Sequence, residues 1–194
     1  MGRKIRFGII GCGVIAPNHA KAIVGNDRAE LVAVCDIVEE KAKDFQQKFN
    51  VPHYYTDYKE MLKRDDIDVV CICTPSGMHA DMTIDAANAG KHVFCEKPLD
   101  ITSEKMTQMI EACRENNVKL GCVFQRRLMK EAIETKKAIE SGEFGKIILA
   151  DAYLKYYRSQ EYYDSAGWRG TWELDGGGAL MNQGVHGIDL IMWL

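Results

Sequence analysis

No apolar run in this sequence of 194 residues approaches the roughly 20 that a membrane-spanning helix needs. The opening stretch, MGRKIRFGIIGCG, also lacks the long apolar segment and cleavage site of a secretory signal. Blocks of like charge are missing too. The 25 basic and 28 acidic residues leave a formal net charge of -3 and offer no basic face to nucleic acid or to an anionic membrane. There is no Cys-x-x-Cys, and most of the seven cysteines sit in short Val/Ile-rich runs, where a thiol acts as a small buried hydrophobe. The odd count argues against a disulfide framework, and Cys71-x-Cys73 has no second ligand pair at finger spacing, so no metal is expected. Internal repeats and low-complexity segments are absent as well. The expectation is a soluble cytoplasmic protein whose partners are small molecules, not nucleic acid and not a membrane.

What is present is ordinary globular material: 46% apolar and 27% charged residues, enough to bury a sizeable core. The length suits one full domain plus part of another. Short β-branched runs (5–10, 30–36, 53–55, 68–73, 91–95, 119–124) alternate with amphipathic segments (16–25, 39–49, 57–63, 79–89, 102–116). That alternation predicts βαβ units and a parallel sheet covered on both faces. In the last helix Met106, Met109, Ile110 and Cys113 recur at three- and four-residue steps behind Thr102 as N-cap. Beyond residue 124 the texture changes to a charged amphipathic helix ended by Gly142 or Gly145, then KIILADAYLKYYR, which reads as a longer, partly alternating strand of the antiparallel kind. The domains expected are therefore 1–124 and 125–194.

Four constellations carry chemistry. In GIIGCGVIA, Gly11 permits a tight turn after a strand, Gly13 lets backbone approach a pyrophosphate, and Ala16 allows close helix packing, with Val14 and Ile15 completing the turn. Asp36 follows Ala16 by twenty residues at the end of the second strand, where a carboxylate accepts hydrogen bonds from an adenosine ribose and repels a 2'-phosphate. NAD is thereby favoured over NADP. The alternative is a plain glycine turn with an exposed strand-end acid. Next, Thr74, Pro75 and Ser76 leave the fourth strand at its carboxyl end and border a dinucleotide, unless they form an ordinary loop with Ser76 as a cap; His79 reads as structural more than catalytic. Glu96, Lys97 and Pro98 leave the fifth strand likewise, and a lysine there can protonate or hydrogen-bond a carbinol oxygen, or else be a surface lysine on a turn. Lastly, the aromatic-rich stretch 153–175 offers Trp168 for stacking on a sugar and Arg158 or Arg169 for reading a carboxylate or phosphate; sheet packing and subunit contact are the rival roles.

Together the glycine turn, Asp36, the TP loop, GKHVFCEKP and GGGALMNQGVHGIDL resemble the Gfo/Idh/MocA family of nicotinamide-dependent sugar and polyol oxidoreductases, over essentially the whole chain. The resemblance implies a Rossmann domain followed by an α/β domain with an open antiparallel sheet, here incomplete, because relatives continue well past residue 194. It implies a homo-oligomer when full length. It makes Lys97 the lysine of the family's Glu-Lys-Pro motif and His186 the histidine of its Gly-x-His motif, both at the site of hydride transfer, and Thr74, Pro75, Ser76, His79, Glu96 and Lys97 neighbours of the cofactor. Many relatives carry aspartate four residues before that histidine; here the position is Asn182, an amide that can orient a substrate hydroxyl but cannot take its proton. The base role then falls on His186 or Lys97, His186 first because imidazole titrates near neutrality. Asp189 either orients that imidazole or faces solvent. The pattern DGGGALMNQG-x-H resembles the branch acting at C3 of nucleotide-linked N-acetyl sugars. The expected activity is NAD-dependent oxidation of a sugar, nucleotide-sugar or cyclitol carbinol; a non-catalytic NAD sensor and an inactive fragment are the alternatives.

Overall fold

The structure, a computed structural model, describes residues 2–194, and the chain divides into two compact units, Met1–Cys122 and Val123–Leu194. In the first, strands and helices alternate: β1 (Ile5–Ile10), α1 (Ala16–Val24), β2 (Ala29–Cys35), α2 (Glu39–Phe49), β3 (His53–Tyr55), α3 (Tyr58–Leu62), β4 (Val69–Ile72), α4 (His79–Asn88), β5 (His92–Cys95), α5 (Ser103–Glu115) and β6 (Leu120–Cys122). The six strands form one parallel sheet in the order β3-β2-β1-β4-β5-β6. The order in which successive strands are laid down reverses between β1 and β4, and open α/β sheets take their ligands at such a switch point, outside the carboxyl ends of the strands.

Period-two alternation sends neighbouring strand residues to opposite faces, and two cores result. Ile9, Val34 and Cys71 join Ala16, Ala20 and Ile23 of α1 and Phe45 of α2. Ile10, Val70, Ile72 and Val93 join Met61 and Leu62 of α3, Ala80 and Ala86 of α4, and Met109 and Cys113 of α5. The register of β1 on β2 shifts between Phe7 and Gly8, so Val32 is an extra residue. This bulge is why Leu31 and Ala33, two apart, enter different cores. Thr102 caps α5 by accepting the Lys105 N–H at 3.3 Å, as its position before the amphipathic run predicts.

The second unit holds a 3-10 turn (Gln125–Leu128), α6 (Lys130–Glu140), α7 (Gln160–Asp164), a π-helical turn (Ala179–Gly184) and α8 (Val185–Trp193). The charged helix α6 stops ahead of Gly142 and Gly145, both at positive φ. The strand expected in KIILADAYLKYYR is not formed here, and the open antiparallel sheet is not shown: among the described residues of this unit there is no strand. A strand exists only through a hydrogen-bonded neighbour. None of the described segments pairs with residues 146–158, and Ile148, Leu149, Tyr153 and Tyr157 are left exposed. Among the described residues no helix is long and apolar enough to cross a membrane.

Candidate functional site

At the carboxyl edge of the sheet the glycine turn is fixed from both sides. The Gly11 N–H donates to the Cys35 carbonyl at 2.8 Å. A Cβ on Gly11 would lie 2.8 Å from the Cys73 carbonyl oxygen, and its φ is +90°. Only glycine fits there, so Gly11 serves close passage past β4 as well as the turn. Around Gly13 a Cβ would meet nothing within 4 Å, so the backbone stands open. Ala16, fully buried, starts α1 against the sheet, and Ile15 at its N-cap offers no side-chain acceptor. In the first turn of α1 Pro17 has no N–H and the Asn18 N–H donates to the Ile15 carbonyl at 3.0 Å, so it is the Ala16 N–H that keeps its capacity for an external anion. Open backbone at Gly13 and an uncapped helix end fit a pyrophosphate. Val14 is exposed beside them.

Asp36 closes this cradle. One carboxylate oxygen accepts the Cys12 N–H and the other the Val38 N–H, each at 2.9 Å. Each oxygen keeps lone-pair capacity for a ribose hydroxyl, so the structural and the cofactor roles of Asp36 are compatible. Burial first, then the charge of Asp36, pushes the Cys12 thiol up to about 12.

At the β4 exit the Thr74 hydroxyl reaches the Met82 sulfur at 3.4 Å, Pro75 leads into a 3-10 turn, and Ser76 is buried. His79 lies fully buried between the carbonyls of Thr74 and Pro98, 2.9 Å from each. It ties the TP loop to the Glu-Lys-Pro loop. A neutral ring can donate to one of these oxygens and an imidazolium to both. Asp100, also fully buried, accepts the Ala80 N–H at 2.9 Å and the Ile101 N–H at 2.6 Å, and so satisfies the first turn of α4.

Glu96 at the β5 exit is buried, with one oxygen 2.7 Å from His19 Nε2 and the other accepting the Lys97 N–H at 3.2 Å. His19 belongs to α1, so this pair joins the helix that follows the glycine turn to the loop of Lys97, whose bond to Pro98 is cis. Burial first, then the charge of Glu96, pushes Cys71 up to about 12. Sequence reasoning passed over His19 and Asp100. The spacing of His19 with Ala16, Ala20 and Ile23 puts it on the buried face of α1, a signal for burial but not for its partner. Asp100 caps a helix twenty residues upstream and leaves no local signal.

The second unit gathers its own polar cluster. Gly176, Gly177 and Gly178 all have positive φ, 74°, 129° and 65°, so the glycine run is demanded by backbone conformation. Just before it, Asp175 is 1% exposed. Asn182 lies in the π-helical turn, a local widening frequent at functional sites. Its side-chain nitrogen donates to Asp175 at 2.9 Å, while its oxygen accepts from Gln183 at 2.9 Å and from the Tyr162 hydroxyl at 3.4 Å. Arg169 donates to that hydroxyl at 2.7 Å, and its guanidinium stands 4.4 Å from the Tyr162 ring and 5.0 Å from the Trp168 ring. The Arg169 Nε is buried without a partner. Arg158 packs over Tyr156 and Tyr162. His186, buried, is the second residue of α8. Asp189 does neither of the things expected of it: its carboxylate, 8% exposed, pairs with Arg127 through two nitrogens. Among the described residues no group of His, Cys, Asp or Glu could hold a metal.

Residues 5–124 match the family described as the GFO_IDH_MocA oxidoreductase family, NAD-binding Rossmann fold, and residues 133–194 match the GFO/IDH/MocA C-terminal domain. The chain is similar to the WlbA dehydrogenase from Bordetella pertussis, solved in complex with NADH and UDP-GlcNAcA: 42% identity, TM-score 0.91, covering 99% of this chain and 58% of that one. For the WlbA enzyme from Chromobacterium violaceum, solved with the same two ligands, the values are 40%, 0.95, 100% and 56%. Inositol 2-dehydrogenase of Salmonella typhimurium is 31% identical over 200 residues, 98% of this chain and 54% of that protein. The chain thus spans little more than half the length of these relatives.

Proposed function

The chain belongs to the Gfo/Idh/MocA oxidoreductase family, and from that premise we propose that it serves an NAD-dependent oxidation of a nucleotide-sugar carbinol, the substrate being of the UDP-GlcNAcA kind. The observation that carries the cofactor half is the cradle of Gly11, Gly13 and Asp36 at the β1–β4 switch point. NAD over NADP follows from Asp36, whose charge repels a 2'-phosphate. The substrate half is supported by the 42% identity to WlbA and by the Arg169 cluster. A guanidinium 4.4 Å from one aromatic ring and 5.0 Å from another, with a buried Nε that has no partner, suits a carboxylate. Trp168 adds an apolar ring for the sugar, and Arg158 a second cation.

Bound NAD supplies the hydride acceptor. Lys97 hydrogen-bonds the carbinol oxygen, and His186 takes its proton, because Asn182 has no proton-accepting carboxylate. The pairing of Lys97 with His186 rests on the family pattern alone. Residues 146–158, with their exposed apolar side chains, suit the open antiparallel sheet and the subunit contacts that the same pattern implies. The test is calorimetric titration with NAD and NADP, followed by a panel of UDP-GlcNAcA, UDP-GlcNAc and myo-inositol assayed for NADH formation. NAD binding with turnover of UDP-GlcNAcA is expected. No NAD binding refutes the whole reading; NAD binding without turnover of any of them leaves a non-catalytic NAD-binding module.

A further inference from the structure

We propose that Asp175 is the positioning residue for Asn182, and that its carboxylate is the reason position 182 carries an amide. Asp175 is all but inaccessible, and both its oxygens are committed: one accepts the Gly170 N–H at 2.8 Å, the other the Asn182 side-chain nitrogen at 2.9 Å. A carboxylate only accepts, so the amide must turn its nitrogen toward Asp175. Its oxygen then faces the two donors opposite, the Tyr162 hydroxyl and Gln183. Tyr162 in turn receives Arg169 at 2.7 Å. One buried charge thus fixes a chain of four side chains whose last member is the anion-reading guanidinium.

The chain also explains the amide. An aspartate at 182 would set two carboxylates against each other at hydrogen-bonding distance in a buried place, and one of them would have to hold a proton. With asparagine at both positions, 182 must flip to offer its oxygen to 175. Its nitrogen then meets the Gln183 donor, and the Tyr162 hydroxyl loses its acceptor. The reciprocal exchange, Asp175→Asn with Asn182→Asp, restores one carboxylate facing one amide: the amide introduced at 175 accepts from Gly170 and donates to the acid introduced at 182, which still accepts from Tyr162 and Gln183. The consequence for substrate rests on the reading in the preceding subsection; the pairing itself does not.

The test compares wild type, both single variants and the reciprocal double variant by tryptophan-fluorescence melting. All three tryptophans, Trp168, Trp172 and Trp193, lie in the second unit and so report on it. Each single variant is expected to melt about 5 °C or more below wild type, and the double variant to recover more than half of either loss. An Asp175→Asn protein that melts with wild type, or a double variant whose loss equals the two single losses added, overturns the proposal. Should Asp175→Asn fail to fold, Asn182→Asp alone decides. Within the second unit, the charged or titratable groups around position 182 include Asp175 directly, Tyr162, Arg169 and Arg158 behind it, and His186 four residues on. In Asn182→Asp the folded carboxylate pair keeps a proton that the unfolded chain releases, so the deficit must widen between about pH 5 and about pH 8; a constant deficit overturns the proposal. Calorimetry with UDP-GlcNAcA adds the positioning readout. Binding is expected to fall about tenfold in Asp175→Asn and to return in the double variant, and unchanged binding in Asp175→Asn overturns the positioning role. Coupled melts in a wild-type protein that does not bind UDP-GlcNAcA support the pairing and remove the substrate reading instead.

Discussion

Replacing Gly11 and Gly13 by alanine, one at a time, separates the fold from the cofactor. On Gly11 the new Cβ stands 2.8 Å from the Cys73 carbonyl oxygen and 2.9 Å from its carbon, at a φ of +90°. Backbone on one side and backbone on the other leave no flexible group to yield. A non-glycine residue at such a φ costs about 1–3 kcal/mol, and forcing β1 and β4 apart at the turn costs about 1–3 kcal/mol more. The sum, about 4 kcal/mol, is a large share of the roughly 5–15 kcal/mol that holds a domain folded. With a urea slope of about 2 kcal/mol per molar, the unfolding midpoint falls by about 2 M. On Gly13 the same methyl meets nothing within 4 Å, so the midpoint stays within about 0.3 M of wild type. The methyl does, however, occupy the space through which a pyrophosphate would touch backbone, and NAD affinity falls at least about tenfold. Urea unfolding followed by circular dichroism and NAD titration by calorimetry read the two quantities separately. A Gly11→Ala protein as stable as wild type refutes the packing argument, and a Gly13→Ala protein that binds NAD as wild type refutes the cradle.

Asp36→Ala removes two carboxylate hydrogen bonds to backbone, so it lowers stability by about 1–3 kcal/mol and also shifts the ratio of NAD to NADP affinity toward NADP. An unmoved ratio in paired titrations would show that the carboxylate only braces the turn. Lys97→Ala and His186→Ala each lower turnover of the true substrate by at least about 100-fold; near-normal steady-state rates in both would remove the mechanism. Burial first, and then the charge of Asp36, holds the Cys12 and Cys35 thiols at about 12, so both resist alkylation near neutrality. The sign for stability follows: above about pH 8.5 the unfolded chain loses these protons while the native state keeps them up to about 12, so stability falls as pH rises through that window. Iodoacetamide labelling read by mass spectrometry checks the first point, and rapid labelling of native Cys12 at the rate of a free thiol contradicts it.

What was legible in the sequence was what local periodicity and turn chemistry encode. The alternation of β-branched and amphipathic runs located all six strands, and the glycine turn and Asp36 marked the switch point. What failed was the strand at 146–158, because alternation describes a side-chain pattern, whereas a strand needs a neighbour to take its backbone hydrogen bonds. Asp189 failed for a related reason. Its spacing from His186 left the imidazole or solvent as its partner, yet its charge is taken by Arg127, sixty-two residues away. No periodicity announces a partner at that distance.

The same limit shapes the two polar networks. Glu96 and Asn182 were both visible as motif members, but each motif names a side chain without naming what aims it. Glu96 is held by His19 of α1, so the residue before Lys97 is anchored to the helix that follows the glycine turn. Asn182 is held by Asp175, seven residues earlier, a pairing the motif does not name. In a buried site an acceptor-only carboxylate is a strong orienting device, since it leaves its partner a single permissible orientation. Asp36, Glu96, Asp100 and Asp175 each accept at least one backbone N–H, and so each is fixed by the fold before it fixes anything else. Acids placed this way hold other groups in position, which accords with the proposal that the proton-accepting step falls to His186.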